Sequence, residues 1–291
     1  MTGFGARLTQ TLAASGPLCV GIDPHEQLLT EWGLEQSGAG VREFGLRVVD
    51  AAAGRVGIVK PQVSFFERFG SAGFAALEAV LRAARDAGLL VIADAKRGDI
   101  GTTMDAYTRA WLEPGSPLEA DALTVNPYLG TDSIRDALAF AARHDKGVFV
   151  LAATSNPDGP VLQAAQTVDV AASEGQTVAA RVAQDAAAVN TSSAFGGGLG
   201  PIGLVVGATV DRGAVGLSDE LLRGAPILAP GFGAQGAQPG DLVRVFGAVA
   251  PQVIASESRS ILSAGPAGLA DRIAERAGLY PHDLYRGGSD G

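Results

Sequence analysis

Short runs of β-branched and aliphatic residues alternate along the chain with longer Ala-, Leu- and Arg-rich segments whose apolar positions recur at helical spacing. Eight runs of the first kind read as strands: 18–23, 56–60, 89–96, 122–126, 148–154, 202–208, 226–230 and 253–258. The segments between and after them read as helices over 41–53, 73–87, 104–112, 133–143, 176–189, 218–222, 241–249 and 266–277. Eight β/α units in succession, with no linker between them, predict an α/β fold of the closed (β/α)8 barrel type, one domain over 1–291, rather than two open sheets. Ahead of the first strand, MTGFGARLTQTLAASG reads as a short amphipathic helix, and the RGGSDG tail after Tyr285 as a frayed end.

In such a barrel the C-terminal strand ends form the active face. Side chains alternate along a strand, so Leu90, Ile92, Asp94 and Lys96 share one side, with acid and base separated by about 6.6 Å of strand. Val56, Ile58 and Lys60 share a side as well, as do Cys19, Gly21 and Asp23. Taken alone, Asp94 and Lys96 fit an ordinary ion pair at a solvated strand end. Four charged residues, Asp23, Lys60, Asp94 and Lys96, converging on one barrel mouth fit a site better. Two stretches interrupt the rhythm: a long connection over 155–176 on the active face, and the Ser/Gly-rich 190–200 on the opposite one, read as a flexible excursion with no assigned role.

Composition narrows the function. A net charge of −9 leaves no basic footprint for nucleic acid, so an anionic substrate would need a locally positive pocket. The single cysteine, Cys19, lies in an apolar run and reads as a core residue; one thiol allows neither a disulfide nor a cysteine metal site, as expected of a cytoplasmic protein. Three histidines, His25, His144 and His282, lack zinc-site spacing. No apolar run reaches the roughly 18 residues of a membrane span, and the N-terminus lacks the hydrophobic stretch and cleavage site of a secretory signal.

Two stretches fit the GxGxxG pattern of dinucleotide-binding loops. The first, 198–203, precedes a strand and cannot open a helix onto a pyrophosphate. The second, GFGAQG at 231–236, follows a strand and has Glu257 at a suggestive distance, but it lies in the seventh unit and its helix begins only near Asp241. Loops after strands seven and eight are the usual phosphate site of a β/α barrel; here they would combine glycine N–H groups with the planar fork of Arg259.

A phosphate grip opposite a Lys/Asp/Lys/Asp cluster describes an enzyme for a phosphorylated small molecule. A lysine among carboxylates keeps its proton, which disfavours a Schiff-base nucleophile and favours a cation that stabilises developing negative charge and then donates a proton. Asp94 beside an anionic substrate group would repel it by about 4 kcal/mol at 4 Å and an effective dielectric of 20, strain that is relieved if the group departs as CO2.

The stretch DAKRGDIGTT resembles the Asp-x-Lys-x-x-Asp signature of the orotidine 5′-phosphate decarboxylase family. The resemblance extends through Asp23, Lys60, SNP at 155–157, PGFGAQG at 230–236 and SRS at 258–260, and the long connections and the GTT are similar to its longer bacterial, mycobacterial-type subgroup. It implies decarboxylation of orotidine 5′-phosphate to UMP, within pyrimidine biosynthesis, by a cytoplasmic homodimer that needs no metal or organic cofactor. Lys60, Asp94, Lys96 and Asp99 would form an alternating charge array, Asp99 coming from the partner subunit, and Lys96 would protonate C6 as CO2 leaves. Asp23 and Lys60 would hold ribose hydroxyls with the partner's Thr103, and the partner's Ile100 would line the carboxylate pocket. Ser155 would contact the pyrimidine, and Gln235 and Arg259 the phosphate. Nucleic acid and membrane are not implied as partners.

The chain departs from that pattern at Ser258, where a glycine is frequent, and at Asn156, where histidine is often found. Arg97 and Asp121 are charged and close by, and read as structural ion pairs. Two other readings stay open from sequence. One is the metal-dependent sugar-phosphate branch of the same barrel, whose second strand ends in an acidic Mg²⁺ ligand where this chain has Lys60. The other is a phosphate-ligand sensor without chemistry.

Overall fold

The computed structural model describes residues 3–168, 175–192 and 198–286. Eight parallel strands follow one another around a closed barrel: β1 (Leu18–Ile22), β2 (Ile58–Pro61), β3 (Leu90–Arg97), β4 (Ala122–Val125), β5 (Gly147–Ala153), β6 (Ile202–Val206), β7 (Ile227–Pro230) and β8 (Val253–Glu257), with β8 pairing back onto β1. The predicted (β/α)8 barrel is the observed one, and every predicted strand is present.

Alternation along these strands divides the core in two. Cys19, Ile58, Leu90, Ile92, Ala122, Phe149, Val205, Leu228 and Ile254 fill the barrel interior, while Val20, Val59, Val91, Ala93, Leu123 and Val148 face the surrounding helices. The amphipathic N-terminal helix, Phe4–Ser15, closes the bottom of the barrel with Phe4, Leu8 and Leu12 packed into the interior cluster. Each such burial is worth about 1.5–3 kcal/mol, which explains why this helix stays on the domain without pairing to a strand. Cys19 is fully buried there, and burial pushes its thiol up to about 12. Asp121 pairs with Arg7 at 2.7 Å and Arg97 with Glu67 at 2.7 Å, the structural roles expected of them.

The helices differ from the sequence reading in detail. The predicted helix over 104–112 begins three residues earlier, at Gly101–Leu112, so Thr103 lies in its first turn and Ile100 just ahead of it. The predicted helix over 241–249 is broken into a 3₁₀ turn Pro239–Asp241, a short helix Leu242–Phe246 and a second 3₁₀ segment Gly247–Gln252, because Gly247 takes a left-handed φ of +54° and Pro251 has no N–H to donate. Two short helices on the active face, Glu26–Glu31 and Val63–Glu67, were not expected. Within 155–176 a helix forms over Gly159–Gln163; 169–174 lie outside the described residues. Of 190–200, residues up to Ser192 belong to the helix Val178–Ser192, where the Asn190 amide makes two hydrogen bonds to the Ile202 backbone, whereas 193–197 lie outside the described residues. A short helix forms over Asp283–Arg286, taking in the first residue of the RGGSDG tail, and the rest of that tail, 287–291, lies outside the described residues. Among the described residues no helix is long and apolar enough to cross a membrane.

Candidate active site

The C-terminal strand ends enclose a cavity of about 310 Å³. On one wall, Asp94 from β3 holds two lysines at once: Lys60 Nζ donates to its Oδ2 at 2.9 Å and Lys96 Nζ to its Oδ1 at 2.6 Å. Lys60 and Asp94 are both buried. Burial alone would push the Asp94 carboxyl up, but the two lysines outweigh it and hold it far below the usual carboxylate range. Burial works against the Lys60 ammonium too, and Asp94 with Asp23 more than compensates, keeping it firmly charged. The result is a row of alternating charges in which Lys60 and Asp94 lie in a low-dielectric wall and the Lys96 side chain, 45% exposed, reaches them from the open side. Breaking such a pair from one side costs about 3–5 kcal/mol, since the remaining charge is left buried and unpaired.

Opposite this row lie the loops after β7 and β8. Gln235, Ala234, Gly231 and Phe232 line the cavity with Ser258 and Arg259. Arg259 is exposed and its side chain has no hydrogen-bond or ion-pair partner among the described residues, so its fork is free for an anion. The loop is seated on a buried platform. Glu257, with its side chain fully buried, accepts two bonds from Arg276 at 2.9 and 2.8 Å, one from the Tyr280 hydroxyl at 2.6 Å and one from Ser260 at 2.5 Å. This acid, which imitated the ribose-binding residue of a dinucleotide fold in the sequence, is therefore spent on structure. Gly233 lies directly above it at φ +70°, where a Cβ would overlap Ser260 Oγ and come within 2.6 Å of Glu257 Oε2. Gly233→Ala is expected to raise KM for a phosphorylated substrate at least about tenfold, with kcat changed far less; an unchanged KM would show that the loop does not grip phosphate.

Seven of the ten residues singled out in the sequence line this one cavity: Asp23, Lys60, Asp94, Lys96, Ser155, Gln235 and Arg259. Asp99, Ile100 and Thr103 do not. Asp99 Oδ1 accepts from the Ile100 N–H at 2.8 Å, and Ile100 is 61% exposed at the start of the helix Gly101–Leu112. The departure at Ser258 has a local explanation. Its hydroxyl donates to Asp23 Oδ2 at 2.5 Å, fixing that carboxylate at the cavity wall, while Asp23 Oδ1 has no partner among the described residues. Sequence reasoning missed His25, Gln62, Thr124 and Ser256, which also line the cavity. Strand alternation could have flagged Thr124 and Ser256; Gln62 follows Lys60-Pro61 with no signal of its own.

Residues 16–270 match the family model described as the Orotidine 5′-phosphate decarboxylase / HUMPS family. An orotidine 5′-phosphate decarboxylase of Salinispora tropica is 49% identical over 278 residues, covering 94% of this chain and 96% of the relative. One from Corynebacterium glutamicum is 46% identical over 280 residues, covering 96% and 98%. The chain belongs to the orotidine 5′-phosphate decarboxylase family. A crystal structure of a Streptomyces avermitilis protein assigned the same activity superposes with a TM-score of 0.89 at 45% identity, covering 99% of this chain and 97% of that one. All ten residues singled out in the sequence fall within the stretch matched to the family model, and Lys60, at the end of the second strand, is held by Asp94.

Proposed function

We propose that this protein decarboxylates orotidine 5′-phosphate to UMP and CO2 without a metal or organic cofactor. The observation that carries the reading is the Lys60–Asp94–Lys96 row in the wall of a cavity whose other side offers the unpartnered Arg259. Arg259 and Gln235 bind the phosphate, Asp23 and Lys60 the ribose hydroxyls, and Ser155 the pyrimidine. This places the substrate carboxylate against Asp94. Asp94 is held ionised by the two lysines and cannot relieve the repulsion by taking a proton. The bond from C6 to the carboxylate breaks, CO2 departs, and the electron pair stays on C6 beside the Lys96 ammonium. Lys96 Nζ gives its proton to C6, and the resulting amine regains one from water, so the net reaction consumes one proton. Binding energy from the distant phosphate is available to close the cavity and to pay for the repulsion at the ring.

The site is completed by a second copy of the chain. Asp99, two residues past the end of β3, does not line its own cavity, and that segment presents apolar surface outward. Ile100 and Tyr107 are exposed, as are Tyr128 and Leu129 on the neighbouring segment after β4. Apolar surface on two adjacent strand-end segments fits a homodimer in which each chain lends Asp99, Ile100 and Thr103 to the other's cavity.

Loss of orotate absorbance, followed with purified protein and orotidine 5′-phosphate in excess EDTA, tests the reading. Full turnover in EDTA is expected. Turnover that stops in EDTA and returns with Mg²⁺ would favour the metal-dependent branch, and binding of UMP with no consumption of substrate would make the protein a sensor.

A further inference from the structure

The β3–β4 ladder is irregular at the site itself. Ala93 pairs with Leu123 and Arg97 with Val125, so Asp94, Ala95 and Lys96 together stand opposite the single residue Thr124. The bulge leaves the Lys96 N–H without a ladder carbonyl, and Lys96 takes a left-handed φ of +49°, rare for a residue with a side chain. Thr124, 1% exposed, occupies the gap. Its Oγ1 accepts from the Lys96 N–H at 3.0 Å and donates to Asp94 Oδ1 at 3.0 Å. That same Oδ1 accepts from Lys96 Nζ at 2.6 Å. One hydroxyl therefore closes a ring that runs from the Lys96 backbone through Thr124 and Asp94 back to the Lys96 side chain, with its single proton and one lone pair both in use.

We propose that Thr124 is a positioning residue: its hydroxyl stands in for the missing ladder bond, holds Lys96 in its strained backbone conformation, and aims Asp94 and the Lys96 ammonium at the same point of the cavity. The inference rests on the proposed decarboxylation only for its kinetic consequence. The ring itself is a property of the fold. Thr124 lines the cavity but has no hydrogen bond to the phosphate loop or to the Asp23–Ser258 pair, so its effect is expected on the chemical step rather than on phosphate or ribose binding.

The test compares Thr124→Val, which keeps the branched shape and removes the hydroxyl, with Thr124→Ser, which keeps the hydroxyl. For Thr124→Val, kcat is expected to fall roughly 10- to 100-fold, with KM and UMP affinity within about twofold of wild type; Thr124→Ser should stay within about threefold in all of them. Hydrogen exchange at the Lys96 amide, measured on the same proteins, should accelerate about tenfold or more in Thr124→Val and stay near wild type in Thr124→Ser. An unchanged amide in Thr124→Val would overturn the proposal, as would an unchanged kcat in an active protein, or a serine variant as impaired as the valine one. If the wild type consumes no orotidine 5′-phosphate while the amide responds as expected, the decarboxylase reading falls and the ring stands.

Discussion

Replacing Lys96 with alanine is expected to lower kcat for orotidine 5′-phosphate by at least about a thousandfold while leaving UMP bound within about tenfold of wild type. The asymmetry follows from where Lys96 sits. In the proposed site the phosphate and ribose are held by Arg259, Gln235, Asp23 and Lys60, none of which depends on Lys96 for a hydrogen bond, and Asp94 keeps its bond from Lys60 at 2.9 Å. The alanine variant loses the proton donor and half of the charge facing Asp94. Lys96→Arg separates those two losses. A guanidinium preserves the positive charge and can bond Asp94, but it does not release a proton near neutral pH. Activity in the arginine variant should therefore fall nearly as far as in the alanine variant. If it retained more than about a tenth of wild-type kcat, Lys96 would act through its field alone and the proton would have to reach C6 by another route.

The barrel was legible in the sequence because both of its periodicities are local. Each strand alternates between the interior and the helix layer, as Leu90 and Ile92 against Val91 and Ala93 do, and each helix carries its own apolar face. Charges breaking an apolar alternation at a strand end also point to one place, since a closed parallel barrel brings all C-terminal ends together; Asp23, Lys60 and Asp94 arrive at the cavity for that reason. Lys96 arrives there by a different route. A regular strand would also put it on the face of Asp94, about two residues' rise away; here the two side chains meet at 2.6 Å from a bulge with a left-handed backbone at Lys96. A bulge depends on pairing with another strand, so no local pattern announces it; alternation from Ala122 could have put Thr124 on the inner face of β4, but not opposite the bulge. The break at Gly247 was written in the sequence, yet helical periodicity across 241–249 masked it. Glu257 illustrates the opposite case: its spacing from GFGAQG imitates a ribose-binding acid, a reading that the loop's place in the seventh unit already argued against, and Arg276, Tyr280 and Ser260 saturate both of its oxygens.

Two inactive variants should restore one another. In the proposed dimer each cavity takes Lys96 from its own chain and Asp99 from its partner, so Lys96→Ala and Asp99→Ala should each be nearly inactive when pure. In a heterodimer of the two, one cavity carries both defects and the other carries neither. Free exchange of subunits at a one-to-one ratio makes about half of the dimers mixed, each with one intact cavity, which gives about a quarter of wild-type activity. The geometry within one chain motivates this strongly, because Asp99 is tied to the Ile100 N–H at 2.8 Å and lines no part of its own cavity. The segment that carries it is also held in place: the Asn126 N–H donates to the Arg97 carbonyl at 2.8 Å, and Gly98 packs so closely on the Asn126 backbone that a Cβ would not fit. A fixed loop that cannot fold back onto its own site fits a residue delivered outward. Recovery should appear only under conditions that allow subunits to exchange, and a double variant carrying both changes in one chain should stay inactive in every mixture with Lys96→Ala or Asp99→Ala. If the mixed sample stays at the sum of its parts after exchange has been verified by mass, Asp99 does not cross the interface, and the array would consist of Lys60, Asp94 and Lys96 from a single chain.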